Sequence, residues 1–220
     1  MYVKDTMTTN PYTTSKDTKI FHALDIMEKN EFHRLPVVNE YGKLIGLITE
    51  GIIKESSSSK ATSLTVHELN YLLSKIKVED LMITDVISIS PDTILEEAAT
   101  LMRDEQIGCL PVIEDDKVIG IITNNDIFDA FINLLGYNVE GSRYVVNVSK
   151  DSAGIMAKIA KTFADRGVNI TNISTYYGPR GIEIIIITKD EDIQTMKKAL
   201  SDIGVDVVSA ETTEHYRRKK

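Results

Sequence analysis

The sequence has no tryptophan and only one cysteine, Cys109. A single cysteine excludes an intramolecular disulfide and a cysteine-based metal site, so we expect Cys109 to be a small buried residue and predict no metal site. Apolar runs long enough to cross a bilayer are also missing, and the first residues lack the basic-then-apolar pattern of a signal peptide. These absences predict a cytoplasmic protein with no membrane partner.

Basic residues are scarce relative to acidic ones. The chain carries 25 Lys and Arg against 33 Asp and Glu, which gives a formal net charge of −8. Nucleic acid binding normally needs a broad basic face, so we expect no nucleic acid partner, and the short basic tail over 213–220 does not change this. A nucleophile with its base, a metal cluster or a catalytic carboxylate pair is not found at credible spacing. The sequence therefore predicts no catalytic residue and no catalytic cofactor.

An internal repeat organises the first two thirds of the chain. Residues 3–7 align with 78–82 at an offset of 75, and residues 46–49 align with 120–123 at an offset of 74. The single deletion falls in a polar turn between two apolar runs, where a hairpin loop can lose a residue harmlessly. The sequence pattern of each unit predicts the order strand, helix, strand, strand, helix. Because such a unit is small, we expect the two to pack together about a pseudo-twofold axis.

Apolar periodicity places the elements of each unit. Helical spacing predicts helices that begin near Ile20 and Leu95, the second with a capping box of Thr93 and Glu96. Short apolar runs predict strands over 35–38, 44–49, 110–113 and 118–123.

The C-terminal third has a different pattern of elements. Strands are predicted over 144–149, 170–177, 182–188 and 205–211, and helices over 154–165 and 193–203. Gly167 and Gly204 stand where these two helices should end. The resulting order βαββαβ predicts a ferredoxin-like domain with both helices on one face of an antiparallel sheet.

Composition supplies the boundaries between these parts. A serine run at 56–59 is typical of a flexible stretch, and the apolar residues after it recur at helical spacing. The predicted segments are a first repeat over 1–60, a linker helix over 61–77, a second repeat over 78–136, a C-terminal domain over 142–212 and the tail over 213–220.

Thr123 and Asp126 place a hydroxyl and a carboxylate three residues apart where a strand gives way to a helix. A carboxylate can accept from both hydroxyls of a ribose, while the threonine hydroxyl and the free N–H groups of the helix can receive a phosphate. The structural alternative is an acidic capping box, in which both residues serve only the helix start. The spacing alone leaves both interpretations open.

The duplicated frame, its Leu-Pro-Val strands and this motif resemble the CBS domain over about residues 1–135. The resemblance implies an adenine nucleotide as regulatory ligand, with Asp126 holding the ribose and Thr123 lying against ribose or phosphate. The adenine pocket that it implies consists of Thr84, Asp85, Val86, Ile87, Pro111 and Val112.

The first unit departs from this pattern, because Ile52 stands where the second unit has Asp126. An isoleucine cannot accept hydrogen bonds from hydroxyls. We therefore predict one strong nucleotide site per chain and a vestigial or altered one around Thr49.

At His33 and Arg34 it is the first unit that carries the charged residues. The aligned residues of the second unit are Gly108 and Cys109. Across the pseudo-twofold axis both side chains could reach the central cleft and pair with phosphates, Arg34 by a bidentate fork. The alternative is a solvated pair at the start of a strand.

The loops of the C-terminal domain resemble those of the ACT domain over about residues 142–212. Asp151 and Gly154 lie between the first strand and helix, and Asn169 precedes the second strand; the proline usual in this loop is replaced by Ala153. The resemblance implies an amino acid ligand near Asp151, Gly154 and Asn169. The alternative is that these residues form an ordinary helix cap and turn.

The order of domains resembles the acetoin-utilisation protein B type of bacterial CBS-ACT protein and predicts an α+β fold. The leading hypothesis is a regulatory sensor, not an enzyme, that binds a nucleotide of the AMP, ADP or ATP class, with amino-acid sensing by the ACT domain. Alternatives are a ligand-independent assembly scaffold, or a sensor of cyclic di-AMP or S-adenosylmethionine. The resemblance also implies a homodimer and an unidentified regulated protein.

Overall fold

The computed structural model describes residues 1–60, 74–148, 152–179, 181–189 and 192–213. The chain divides into two compact units, Met1–Ile127 and Phe128–Lys220. The linker helix predicted over 61–77 and the basic tail over 213–220 fall almost wholly outside the described residues. Within those residues, no helix combines the length and the apolar character that a bilayer-spanning helix needs.

Two repeats of similar structure make up the N-terminal part. The first contains strand β1 (Thr8–Thr9), helix α1 (Ile20–Lys29), strands β2 (Arg34–Val38) and β3 (Leu44–Thr49), and helix α2 (Glu50–Lys60). The second contains helix α3 (Leu95–Asp104), strands β4 (Cys109–Glu114) and β5 (Lys117–Thr123), and helix α4 (Asn124–Leu134). Periodicity therefore located these helices and hairpins correctly, whereas the leading strand of the second repeat is reduced to one bridge at Ile83.

The two repeats exchange their leading segments. Val3 N–H donates to the carbonyl of Thr93 at 2.9 Å, and the equivalent Val78 N–H donates to the carbonyl of Thr18 at 2.8 Å. Strand β1 then pairs with β5 of the second repeat, in the sheet order β1-β5-β4. Each repeat thus completes the other, as the expected pseudo-twofold arrangement requires.

The exchanged segments also complete the cores. Val78, which leads the second repeat, is fully buried in the core of the first repeat. The other buried members of that core are Ile20, Ala23, Met27, Leu35, Val37, Ile48 and Ile53. Removing this apolar surface from water at about 25 cal/mol per Å² is what holds the exchanged chain in place.

The start of helix α3 differs from the prediction of a capping box. The helix begins at Leu95 with Ile94 as its N-cap, and no side chain caps it. Leu95 N–H donates instead to the carbonyl of Met1 at 3.0 Å, and the Thr93 carbonyl accepts from Val3. The exchanged segment therefore occupies the helix start that Thr93 was predicted to cap.

Two glycines permit close contact between the exchanged segments and the hairpins. A Cβ atom at Gly46 would lie 2.7 Å from Met82 Sδ, and one at Gly120 would lie 2.5 Å from Met7 Sδ. These glycines are equivalent in the two repeats, and so are the methionines. The glycines keep the hairpin surface flat enough for the crossing chain.

Besides the C-terminal residues of α4, the second unit contains the predicted ferredoxin-like domain. Its elements are β6 (Gly141–Val148), α5 (Ile155–Ala164), β7 (Ile170–Gly178), β8 (Gly181–Thr188), α6 (Ile193–Asp202) and β9 (Asp206–Thr213). The antiparallel sheet has the order β7-β8-β6-β9. Tyr144 and Phe163 meet edge to face in the core with ring centroids 5.5 Å apart. Gly167 and Gly204 adopt φ of +71° and +79° just after the two helices, which confirms them as helix stops.

Replacing Gly46 by alanine should lower the free energy of unfolding by about 1–3 kcal/mol, the usual cost of overpacking. The new Cβ would press on Met82 and would also lie 2.9 Å from the backbone oxygen of Ile83, which cannot rotate away. Urea unfolding followed by circular dichroism measures the change. Gly51→Ala is the matched control, because its Cβ would meet only Thr49 Oγ1 at 3.8 Å. Equal midpoints for the two variants would contradict the close approach.

Candidate functional site

A cleft of about 630 Å³ opens between the two repeats. Its walls are formed by residues 8–12, 31–34 and 123–126, with Pro36, Gly108 and Ile121. The first group belongs to the exchanged segment, the second follows helix α1, and the third joins β5 to α4. Because both repeats supply walls, neither repeat alone could form this cleft.

Asp126 and Thr123 lie together at the start of helix α4. Asp126 Oδ2 accepts from the Thr123 N–H at 2.7 Å and from the Thr123 hydroxyl at 2.8 Å, and the Asp126 N–H lies 3.4 Å from Thr123 Oγ1. This is the reciprocal geometry of a capping box. The second carboxylate oxygen, Oδ1, accepts no hydrogen bond from any residue that the structure describes. The capping role and a ligand role are therefore compatible, because each uses a different oxygen.

Arg34 supplies positive charge from the first repeat. Its backbone pairs with Thr49 in the β2–β3 hairpin. Its guanidinium lies against Gly108. A Cβ atom added at Gly108 would lie 2.5 Å from Arg34 Nη2 and 3.5 Å from Asn124 Nδ2. The described part of the chain holds no carboxylate within salt-bridge distance of Arg34. Arg34 is half-buried, has no carboxylate partner among the described residues, and lies beside the N-terminus of a helix. These features suit its guanidinium to a phosphate.

His33 lies beside Arg34 and is fixed by a carboxylate of the first repeat. His33 Nδ1 is 2.7 Å from Glu50 Oε2, and Lys54 pairs with the other oxygen of Glu50. Hydrogen bonds from Lys54 and from His33 hold the pKa of the Glu50 carboxyl below its usual value. The pair therefore consists of an ionised carboxylate and an imidazole at the edge of the cleft.

Two aromatic rings line the cleft near these charges. The rings of Tyr12 and Phe32 are tilted by 31° with centroids 5.5 Å apart. Tyr12 is 59% exposed, so much of its ring is open to solvent. An apolar platform beside hydrogen-bonding groups is a common feature of small-molecule sites.

The exchanged segment changes part of the predicted adenine pocket. Residues 8–12 line the cleft that holds Asp126, whereas residues 84–87 do not. Ile83, at the start of the latter segment, pairs with Leu47 of the first repeat. The exchange of leading segments carries residues 84–87 to the opposite hairpin, which explains why they do not meet Asp126.

Pro111 and Val112 are likewise outside this cleft. Both are buried in β4, where Val112 pairs with Gly120 and bridges to Ile89. The equivalent proline of the first repeat, Pro36, lines the cleft instead. The pseudo-twofold axis thus interchanges the two sets of residues.

The equivalent motif of the first repeat has no carboxylate for a ribose. Thr49 Oγ1 accepts from the Ile52 N–H at 3.2 Å, so the threonine still caps its helix. The Ile52 side chain packs against the core of the first repeat. Elsewhere among the described residues, no group of three His, Cys, Asp or Glu side chains is arranged to hold a metal ion.

Comparison with known families accounts for this architecture. The CBS domain matches residues 3–58 and 78–133, which together make up just over half of the chain. The chain belongs to the CBS domain family. A second family, the ACT domain, matches residues 144–205, in agreement with the ferredoxin-like second unit.

Individual relatives share the CBS pair. Homoserine O-acetyltransferase of Methanosarcina acetivorans is 33% identical over 130 residues, which cover 59% of this chain but only 22% of that enzyme. A Vibrio cholerae protein assigned to acetoin utilization (AcuB) is 30% identical with a TM-score of 0.53, and the match covers 62% of this chain and 93% of that one.

Two solved CBS-pair structures contain adenosine compounds. The CBS domain pair of protein MJ0100, in complex with 5′-methylthioadenosine and S-adenosyl-L-methionine, is 30% identical with a TM-score of 0.52 over 60% of this chain and 99% of that one. CBSX2 in complex with AMP is 27% identical with a TM-score of 0.51 over 60% of this chain and 97% of that one.

Two of the three predicted ligand residues of the ACT domain, Gly154 and Asn169, lie in loops that the structure describes. Gly154 is the N-cap of α5 with φ of +91°, and no side chain caps that helix. Asn169 is exposed just before β7. Asp151, the third predicted ligand residue, lies outside the described residues, so the amino acid site remains a prediction.

The cleft residues of the exchanged segment, Tyr12 among them, were not among the predicted site residues. The signal that could identify them is the repeat offset itself, which equates residues 9–12 with 84–87. Nothing in a single repeat tells that the leading segment crosses to the other one. Once the exchange of segments in the CBS pair is known, the same offset assigns residues 9–12 to the cleft of Asp126.

Cys109 should react slowly with thiol reagents in the folded protein. The residue is 4% exposed, and burial raises the pKa of its thiol, with the charge of Arg34 opposing this only in part. Reaction with a chromogenic disulfide at pH 8 should be more than about tenfold slower than in concentrated urea. Equal rates in both conditions would contradict the buried position in β4.

Proposed function

We propose that this CBS-ACT chain is a non-enzymatic regulatory sensor that binds an adenine nucleotide of the AMP, ADP or ATP class between its two CBS repeats. The observation that carries the proposal is the pairing of chemistries in one cleft. The free Oδ1 of Asp126 lines the same cleft as the guanidinium of Arg34, which has no carboxylate partner among the described residues. A nucleotide presents a neutral diol and an anionic phosphate on one molecule, and these are the groups that the two side chains bind.

The ribose is assigned to Asp126. Its Oδ2 is held by Thr123 at 2.7 Å and 2.8 Å, which fixes the carboxylate before any ligand arrives. Oδ1 can then accept from one ribose hydroxyl, and the remaining lone pairs of the carboxylate can accept from its neighbour. Preorganisation of this kind lowers the entropy lost on binding.

The phosphate is assigned to Arg34, to His33 and to the N–H of Asn125 at the start of α4. The N–H groups on either side already have acceptors, since Asn124 donates to the Gly108 carbonyl and Asp126 to Thr123 Oγ1. A helix N-terminus carries partial positive charge, and Asn124 and Asn125 at the start of α4 line the cleft. Arg34 presents a planar fork that matches two phosphate oxygens. Three kinds of donor thus converge on one anion.

The base is assigned to the apolar end of the cleft. Tyr12 and Phe32 offer ring faces, while Pro36 and Ile121 offer apolar surface. Because β1 pairs with β5 and the Asn10 N–H donates to the Ile119 carbonyl, the polar edge of adenine is assigned to the Pro11 carbonyl and the Tyr12 N–H, the role that the resemblance gives to residues 84–87. Ring faces and apolar side chains suit a flat heterocycle.

Charge favours a phosphorylated ligand over S-adenosylmethionine. Related CBS pairs were solved with S-adenosyl-L-methionine, 5′-methylthioadenosine and AMP, so the compound class is shared and the compound differs. A sulfonium cation would be repelled by an Arg34 that has no anion beside it. Cyclic di-AMP is the second alternative ligand, and a scaffold without any ligand is the remaining one.

The ACT domain is proposed to sense an amino acid. The Ile155 N–H at the start of α5 donates to the Ser152 carbonyl at 3.2 Å. No side chain caps the helix, so the next N–H groups, of Met156 and Ala157, are available to an α-carboxylate. Nuclear magnetic resonance titration with the twenty amino acids should shift the amide signals of Gly154 and Asn169 for one ligand class. Shifts confined to residues remote from this loop would reject the assignment.

Asp126→Asn should abolish stabilisation by nucleotide while leaving the fold intact, because an amide oxygen can replace Oδ2 in the cap but the charge that binds the diol is lost. Thermal unfolding measures this, with AMP, ADP, ATP, S-adenosylmethionine, 5′-methylthioadenosine and cyclic di-AMP as ligands. A ligand at 100 times its dissociation constant adds about 2.7 kcal/mol, or roughly 5 to 10 °C for a chain of this size.

Two controls accompany this variant. Asp129→Ala removes the same charge from an exposed position one turn further along α4, and Ile52→Ala alters the equivalent position of the first repeat. Both should retain the wild-type shift with ligand, measured against each variant's own unliganded midpoint. A wild-type protein that none of these ligands stabilises would favour the scaffold alternative.

A further inference from the structure

The first repeat has lost the ribose-binding carboxylate but carries another carboxylate two residues earlier in the same motif. Glu50 is the first residue of α2, and its side chain is 18% exposed. Its N–H donates to the carbonyl of His33 at 2.9 Å, so the backbones of the two residues are fixed relative to each other. Glu50 and His33 both belong to the first repeat. His33 lines the cleft that also holds Asp126 of the second repeat.

The contact with Glu50 decides which nitrogen His33 can offer to a ligand. Nδ1 lies 2.7 Å from Glu50 Oε2, so Nε2 is the ring nitrogen that stays available. A protonated imidazole donates from both nitrogens, whereas the neutral ring donates from one only. With Nδ1–H donating to an ionised carboxylate, a second proton on Nε2 makes that nitrogen a donor toward the cleft.

We propose that Glu50 is a positioning residue of the nucleotide cleft: it holds the His33 ring through Nδ1, so that the imidazolium donates from Nε2–H to the phosphate of the nucleotide. The inference rests on the proposed function and deepens it. The Glu50–His33 pair then distinguishes AMP from adenosine, while Asp126 binds the ribose of both.

Charged side chains surround His33. Arg34 on β2 and Lys54 on α2 are cations, whereas Glu31 and Asp126 are carboxylates that line the same cleft. Glu50 is the carboxylate in direct contact with the imidazole, 2.7 Å from Nδ1. It is therefore the side chain that can fix the direction of the ring.

Isothermal titration calorimetry with AMP and with adenosine tests the inference on the full chain. His33→Gln should weaken AMP binding by about tenfold, the effect of one hydrogen bond to a charged group, and leave adenosine binding nearly unchanged. Glu50→Gln keeps the size and a hydrogen bond to Nδ1 but removes the charge. It should weaken AMP binding about two- to fivefold, as expected for an exposed ion pair. Glu55→Gln, an exposed neighbour on the same helix, is the matched control and should behave like wild type.

The ratio of the AMP and adenosine affinities is the readout that a merely structural role would not change. A general loss of structure in the cleft weakens both ligands alike, whereas loss of the orienting contact weakens only the ligand that carries a phosphate.

The outcomes separate the inference from the proposed function. If wild type binds neither adenosine nor AMP, the nucleotide site is rejected and the role of Glu50 with it. If both ligands bind and Glu50→Gln keeps the wild-type ratio of affinities, the positioning role alone is overturned. Equal losses for AMP and adenosine in Glu50→Gln would show a general structural effect and would also overturn it.

Discussion

The exchange of leading segments between the CBS repeats is the constraint on which the rest of this structure depends. Two backbone hydrogen bonds, from Val3 to Thr93 and from Val78 to Thr18, start the exchange, and burial of Val78 in the core of the first repeat stabilises it. Because residues 8–12 consequently run beside β5, they become a wall of the cleft that holds Asp126. A single repeat would have neither a completed core nor this wall, so folding and formation of the site are one event.

Local patterns predicted the elements well, and non-local pairing could not be read from them. Helical and alternating periodicity identified the helices and hairpins of both repeats, because burial of one face requires apolar residues at a regular spacing along the sequence. No sequence pattern indicates which repeat residues 84–87 pair with. The crossing segment pairs through backbone groups, and every residue has these. The capping box at Thr93 failed for the same reason: the helix start was satisfied by a distant chain segment, Met1 to Val3, and not by the adjacent threonine.

Asp126 shows why a structural and a functional interpretation of one motif need not compete. The carboxylate accepts twice from Thr123 through Oδ2, which is the capping box that the spacing T-x-x-D predicts. The same two bonds hold Oδ1 in a fixed direction at the cleft wall. In the first repeat the threonine cap survives, with Ile52 N–H as its donor, although the carboxylate is gone. The first repeat therefore keeps its helix start without the acid, which shows that the threonine hydroxyl suffices for the cap.

The differences between the two repeats are coupled through the pseudo-twofold axis. Residues equivalent by this axis, such as His33 and Gly108, lie on opposite sides of one cleft, so a large side chain at one position limits what the other can carry. Arg34 fills the space where a Cβ of Gly108 would lie, at 2.5 Å from Nη2. A duplication that kept two cationic residues on each side would place like charges and bulky side chains against each other, which costs both repulsion and strain. Giving His33, Arg34 and Glu50 to one repeat and Asp126 to the other removes this conflict. It also places the candidate phosphate-binding and ribose-binding side chains, Arg34 and Asp126, in the lining of a single cleft.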